Sequence, residues 1–327
     1  MILPAFYYIC VMQDLIHKLV GKSGLPQENS AHNLFLEGID FDLVYFPLKH
    51  LGYKCVLAVT GELYAGMLVP GNISIVLGVS AKLDYSKVEE FWDGAVEAIK
   101  EFGYKGVSLD LQPSRNGLAI SVSATGTASG AESPVPASKD LLCVTGALGA
   151  AYCGLRLLER GKSKFESGSE NPQEDLEKYR MLVAAYLKPE LPAGLPRQLA
   201  DSGITPSAAL FVNRGLADAL LRLTRSTGLG AKVYADKIPF EAGSFAVGRE
   251  LDFNPVSAAM NGGEDCRVLL AVPISQFDAL RRDFQAFDII GHLARPEVGA
   301  VLVTPDGLEH KVSAPGWTTE DNNQHLL

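Results

Sequence analysis

Residues 125–140, TGTASGAESPVPASKD, contain only one sizeable apolar side chain, Val135. Such a Ser-, Gly-, Ala- and Pro-rich run buries too little surface to offset the entropy of ordering it, and it reads as a linker. The chain has 327 residues, more than the ~250–300 at which a single core stops growing. The expected organisation is therefore an atypical N-terminal segment at 1–32, an α+β domain at 33–126, the linker at 127–139 and a second α+β domain at 140–327. A second polar run, GKSKFESGSENPQED at 161–175, reads as a surface loop, and no fixed-period repeat is evident.

In the first half, residues 34–46 alternate in two registers about Gly38, which predicts a strand with a bulge or bend there. Residues 48–68 are apolar and punctuated by Gly52 and Gly61, consistent with either helix or strand. NISIVLGVS (72–80) predicts a strand. Over 86–103, Val88, Phe91, Trp92, Ala95, Ile99 and Phe102 share one helical face, with Gly103 as terminator. Strands are predicted at 106–111 and 117–126, pairing locally. The second half predicts a strand, a Gly turn and a helix over 140–160. Helices follow at 172–187, 193–202 and 215–227, and strands at 231–235, 267–273 and 299–304.

A net charge of −9 argues against a nucleic-acid partner, which requires a basic face. Five scattered cysteines without a Cys-x-x-Cys spacing predict reduced core thiols, and six dispersed histidines support no zinc site. At the N-terminus, no Lys or Arg precedes the apolar run, and Gln13 and Asp14 interrupt it after eleven or so residues. That is short of the ~20 of a membrane span, so the expected setting is cytoplasmic, with no membrane partner.

Several segments, in order, resemble the thiamine-monophosphate kinase family, which shares its fold with aminoimidazole ribonucleotide synthetases. They are LEGIDFDLVYFPLKHLGYK (36–54), ELYAG (62–66), VTGALGAAYCGLRLLER (144–160), LKPE (187–190), NGGEDCRVLLAV (261–272), IGHL (290–293) and APGW (314–317). The resemblance implies a two-domain α+β fold, with the N-terminal domain contributing to a β-barrel shared within a homodimer. It also implies ATP-dependent phosphorylation of thiamine monophosphate to thiamine diphosphate, with Mg²⁺ held by aspartates. Phosphoryl transfer depends on positioning and charge neutralisation, and Mg²⁺ requires near-octahedral oxygen ligands.

Carried over residue by residue, the resemblance points to Asn33, Glu62 and Asp110 for the metal, and to Asp110 and Arg214 for catalysis. It points to Gly146, Gly149, Asn213 and Gly215 for ATP, and to Glu37, Gly38, Gly263, Glu264, Asp265 and Trp317 for the phosphorylated substrate. Bland readings stand beside these. Gly-Gly-Glu-Asp also reads as a tight turn whose acids cap N–H groups. Thr145–Gly149 reads as an anion cradle or as tight helix–strand packing. Trp317 reads as a core or lid residue, Asp110 as a strand-end turn residue, and Glu62 as a solvated acid.

The departures from the family pattern all point one way. The acidic Gly-Val-Gly-Asp-Asp segment is missing from residues 1–32, and Asn33 stands where an aspartate is expected. The Asn-Leu-Ser-Asp turn becomes Val59-Thr60-Gly61-Glu62. The Gly-Gly-Asp-Thr turn becomes Ser108-Leu109-Asp110-Leu111, and Ser-Asp-Gly-Leu becomes Asn213-Arg214-Gly215-Leu216. At ~4 Å and an effective dielectric near 20, exchanging a carboxylate for a guanidinium takes on the order of 16 kcal/mol from a divalent ion before relaxation. The expectation is a degraded metal site with catalysis impaired or lost. The alternative is a non-catalytic dimer that binds a nucleotide or thiamine phosphate in a regulatory or structural role. Arg214 could equally serve as a phosphate clamp.

Overall fold

The computed structural model describes residues 16, 18–25, 29–130, 132–167 and 173–315. Trp317 and most of the N-terminal apolar run lie outside the described residues. Two sheets organise the chain. The first runs in the order β1-β4-β2-β3, from β1 (Ser30–Leu36), β2 (Leu68–Val79), β3 (Gly106–Pro113) and β4 (Ala119–Ala128). Helices α1 (Leu48–Ala65) and α2 (Tyr85–Glu101) precede and follow β2 in the chain. The local pairing expected of 106–111 with 117–126 does not form, since β3 and β4 are not neighbours in the sheet. β2 and β3 are parallel, joined by the α2 crossover, and β4 inserts antiparallel between β1 and β2.

The strand expected over 34–46 stops at Leu36. Gly38 is left-handed (φ +80) and its N–H reaches the Phe41 carbonyl at 2.8 Å. Asp40 accepts the Leu36 N–H at 2.7 Å, closing a turn that seats Phe41 and Phe46 in the core. Residues 48–68, ambiguous by period, form helix α1, whose side chains are buried almost all round. Helix α2 follows its predicted face, is capped by Asp84 accepting from the Lys87 N–H, and ends at left-handed Gly103.

The second sheet runs β11-β10-β7-β9-β5-β8-β6, and only its β7–β10 pair is parallel. Its strands are β5 (Leu141–Val144), β6 (Ala208–Val212), β7 (Gly230–Tyr234), β8 (Arg267–Val272), β9 (Asp288–Ala294), β10 (Ala300–Val303) and β11 (Glu309–Lys311). The helices are α3 (Ala150–Glu166), α4 (Gln173–Lys178), α5 (Arg180–Leu187), α6 (Leu195–Asp201), α7 (Leu216–Thr227), α8 (Ser244–Glu250), α9 (Pro255–Asn261) and α10 (Phe277–Asp283). Helix α3 extends into the polar run that reads as a loop from 161, and the helix expected over 172–187 breaks at Tyr179 into α4 and α5.

Strand β8 is apolar on both faces because both are covered. Leu269 and Ala271 join the core packed against Leu216, Leu220 and Leu223 of α7. Val268, Leu270 and Val272 join the core that contains α1. That second core also contains Ile73, Ile75 and Leu77 of β2 and Ile120 and Val122 of β4, so α1 lies between the two sheets and belongs to both. Among the described residues, no helix is long and apolar enough to cross a membrane.

Candidate functional site

The Gly262–Cys266 turn links α9 to β8 and carries three left-handed residues, Gly263 (φ +74), Glu264 (φ +65) and Cys266 (φ +54). For each non-glycine residue this conformation costs roughly 1–2 kcal/mol, so other contacts must hold it. The Glu264 N–H donates to the Asn213 carbonyl at 2.8 Å, and the Cys266 thiol points at Asn213 Oδ1 at 3.3 Å. Glu264 Oε2 meets Lys54 Nζ at 2.8 Å. Asp265 turns inward and accepts the N–H groups of Gly149 (2.7 Å) and Ala151 (3.0 Å) at the start of α3. Burial pushes the Asp265 carboxyl up to about 6, against the opposing pull of those two N–H groups.

This arrangement favours the bland reading of the Thr145–Gly149 turn. The Gly149 and Ala151 donors that would face an anion are occupied by the chain's own carboxylate. Gly149 (φ +75) also lies against the backbone of Ala259, where a Cβ would come within 2.8 Å of the amide nitrogen. Gly146 lies against the Arg267 guanidinium, which is itself tied to the carbonyls of Glu190 (2.6 Å) and Ala147 (3.3 Å).

The neighbouring turn, Asn213-Arg214-Gly215, leads from β6 into α7. A Cβ on Gly215 (φ +90) would sit 2.4 Å from the Met260 carbonyl oxygen, so glycine is required for packing alone. Arg214 is exposed. Glu62 lies in the last turn of α1, not in a turn between elements. Desolvation raises its carboxyl, and the positive charges of Arg222 and Arg214 oppose that. Its side chain nevertheless reaches solvent. Asp218, in the first turn of α7, is buried against Arg222 at 2.8 Å.

The remaining predicted ligands are dispersed. Asn33 pairs in register with Val122 of β4, on the face shared with Ala31 and Phe35 that α1 and α2 cover. Asp110 lies in the middle of β3, not at a strand end, beside Val76 of β2 and on the face of Ser74 and Ser108. Its oxygens accept from its neighbours, the Leu111 N–H at 2.9 Å and the Gln112 amide at 2.8 Å. Asn33 and Asp110 thus stand on opposite faces and opposite edges of one sheet, three strand spacings or roughly 14 Å apart. Among the described residues, no three His, Cys, Asp or Glu side chains gather as a metal site. Within one chain, Asn33, Glu62 and Asp110 do not fit the near-octahedral shell that Mg²⁺ requires. Glu37 serves the fold, its Oε2 accepting the Leu118 N–H at 2.7 Å.

Sequence reasoning missed Lys54, Arg222 and Arg267. The available signal was a cation inside an apolar stretch, YKCVLAV for Lys54 and CRVLLAV for Arg267, where only a paired charge survives burial.

No protein-family model matches the chain. Solved structures define the class. A crystal structure of thiamine monophosphate kinase from Aquifex aeolicus superposes with a TM-score of 0.73 at 21% identity, covering 93% of this chain and 98% of that one. Escherichia coli HypE, a hydrogenase maturation protein, superposes with a TM-score of 0.66 at 14% identity over 94% and 98%. The architecture is therefore the two-sheet, aminoimidazole-ribonucleotide-synthetase-like α+β fold. Curated relatives narrow it further. Thiamine-monophosphate kinases of Aquifex aeolicus (24% identity, 92% of this chain and 95% of that protein) and Pyrococcus horikoshii (26%, 82% and 79%) align with it. Over most of its length the chain is similar to thiamine-monophosphate kinases.

Proposed function

We propose that the chain binds an ATP-like nucleotide and a thiamine phosphate beside the Asn213–Gly215 turn, and that phosphoryl transfer between them is impaired or lost. The relatives are kinases of thiamine monophosphate, and a structure of AaThiL complexed with AMPPCP and TMP has the same fold (TM-score 0.74, 21% identity, 94% of this chain and 96% of that one). The observation that carries the second half is the separation of Asn33 from Asp110 across one sheet, with an exposed guanidinium at 214 where the family pattern has an acid. A guanidinium there suits a phosphate oxygen and opposes a divalent cation.

The first sheet supports a homodimer. Ser30, His32, Ser74, Ser108 and Ser123 share one face of the first sheet, on which His32, Ser74 and Ser108 are exposed. That face encloses a hollow of about 400 Å³. His32 bridges Ser30 and Ser123 across it at 3.0 Å each. Such a small-residue face suits a second copy closing a shared barrel.

Two measurements test this reading. Thiamine diphosphate formation is expected to be undetectable or far below ordinary kinase rates of ~1–100 s⁻¹, and turnover in that range would overturn the proposal. Calorimetry with AMPPCP and thiamine monophosphate is expected to show binding without turnover. Arg214→Ala is expected to weaken AMPPCP by about tenfold or more, the loss of one charge-assisted contact. An unchanged affinity removes Arg214 from the site.

A further inference from the structure

Lys54 is a buried cation with no part in the reading above. It projects from the middle of α1 with its side chain only 5% exposed. Its Nζ donates to the Tyr186 carbonyl at 2.8 Å, meets Glu264 Oε2 at 2.8 Å, and lies 4.0 Å from the Tyr186 ring centroid and 5.3 Å from that of Phe46. An apolar side chain of the same length would pack against those rings without desolvating a charge. A buried ion pair is a poor source of net stability, but it does specify one placement of its partner.

That partner is Glu264, a non-glycine residue in the left-handed region. Its N–H holds the Asn213 carbonyl. The adjoining Gly263 is pressed onto the same turn, where a Cβ would lie 3.0 Å from the Asn213 carbonyl oxygen and 3.5 Å from Arg214 Cα. One side chain from α1 thus reaches, through a strained turn, the segment that carries Arg214. We propose that Lys54 is a positioning residue: its ion pair with Glu264 holds the Gly262–Cys266 turn, and through it the Asn213–Arg214–Gly215 turn, in the conformation that receives a phosphorylated ligand. The ligand rests on the function proposed above, whereas the mechanical coupling does not.

Hydrogen exchange on the full chain tests the coupling. Lys54→Met is expected to speed exchange at the Glu264 amide and at residues 213–217 by tenfold or more, leaving α2 and β9 unchanged. Glu264→Gln leaves Lys54 its contacts with Tyr186, so it covers the case in which Lys54→Met does not fold. It is expected to loosen the same two turns by threefold or more. The double variant is expected to exchange no faster than Lys54→Met alone, since both changes cut one link. Unchanged exchange in both turns overturns the proposal, as does an equal rise through α2 and β9. AMPPCP titration separates the two readings. A wild-type chain that binds no AMPPCP removes the ligand but leaves the exchange result to decide the coupling. With binding present, Lys54→Met is expected to weaken it tenfold or more, and an unchanged affinity overturns the positioning role.

Discussion

Alanine at position 94 is expected to cost about 3 kcal/mol or more, at the upper end of what overpacking a core does. Gly94 lies on α2 where it crosses α1, and a Cβ there would sit 1.7 Å from the Lys49 carbonyl oxygen. Gly52 is its counterpart on α1, 2.0 Å by the same measure from the Phe91 carbonyl oxygen. Both obstacles are backbone, so no side chain can swing away, and the helices must separate along the contact that seats them on the first sheet. The check is the urea-unfolding midpoint of Gly94→Ala against that of Gly161→Ala. Gly161 lies inside α3 with nothing within 4 Å of its would-be Cβ. Alanine there is expected to gain about 0.5–1 kcal/mol, the ordinary benefit of replacing glycine in an exposed helix interior. Equal midpoints for the two variants would show that the α1–α2 crossing can open without loss.

Removing the Asp265 carboxylate is the second large effect, and its size depends on pH. Asp265→Ala leaves the Gly149 and Ala151 N–H groups buried without partners. At roughly 1–3 kcal/mol for each unsatisfied donor, the expected loss is several kcal/mol. The wild-type carboxyl, however, titrates at about 6 in the folded chain, raised by burial, and near 3.9 when unfolded. Between those values the folded state holds more protons than the unfolded one. The contribution of this group is therefore fully present below pH ~4 and is lost as pH rises through ~6, by up to about 3 kcal/mol. Asp265→Asn keeps one acceptor oxygen and cannot titrate. Stability of the wild type relative to Asp265→Asn is expected to fall between pH 4 and 6. A constant or rising difference would mean that the two N–H groups and the helix terminus outweigh the burial.

Elements with one wet face were legible by their period, and a strand covered on both faces, such as β8, by its continuous apolar run. Helix α2 announced itself through Phe91, Ala95 and Ile99, whereas the Gly-Gly-Glu-Asp run was open to two readings, substrate contact or capping turn, and in the fold Asp265 accepts two N–H groups. Helix α1 did not announce itself, because burial on all sides removes the polar stripe that betrays a period. Pairing order was equally hidden. Local hydrophobicity cannot say that β4 inserts between β1 and β2, since that choice is made by α2 carrying the chain across to a parallel β3. Asp110 was legible as a residue but not as a position, because its place on one face of an edge strand depends on the register with Val76. Lys54 was hidden for a related reason. Its partner Glu264 is distant in sequence, and only the folded turn brings the two together.

The place of α1 between the sheets bears on how the chain can be cut and how it unfolds. The linker divides the sequence, but Leu57 and Val59 share one hydrophobic cluster with Ile75 on one side and Val268 and Leu270 on the other. A fragment that begins at residue 140 would carry the second sheet with one face stripped to water. Each sheet therefore lends part of its stability to the other, and heat or denaturant is expected to melt both together. In this chain the unit of folding is larger than the unit of sequence.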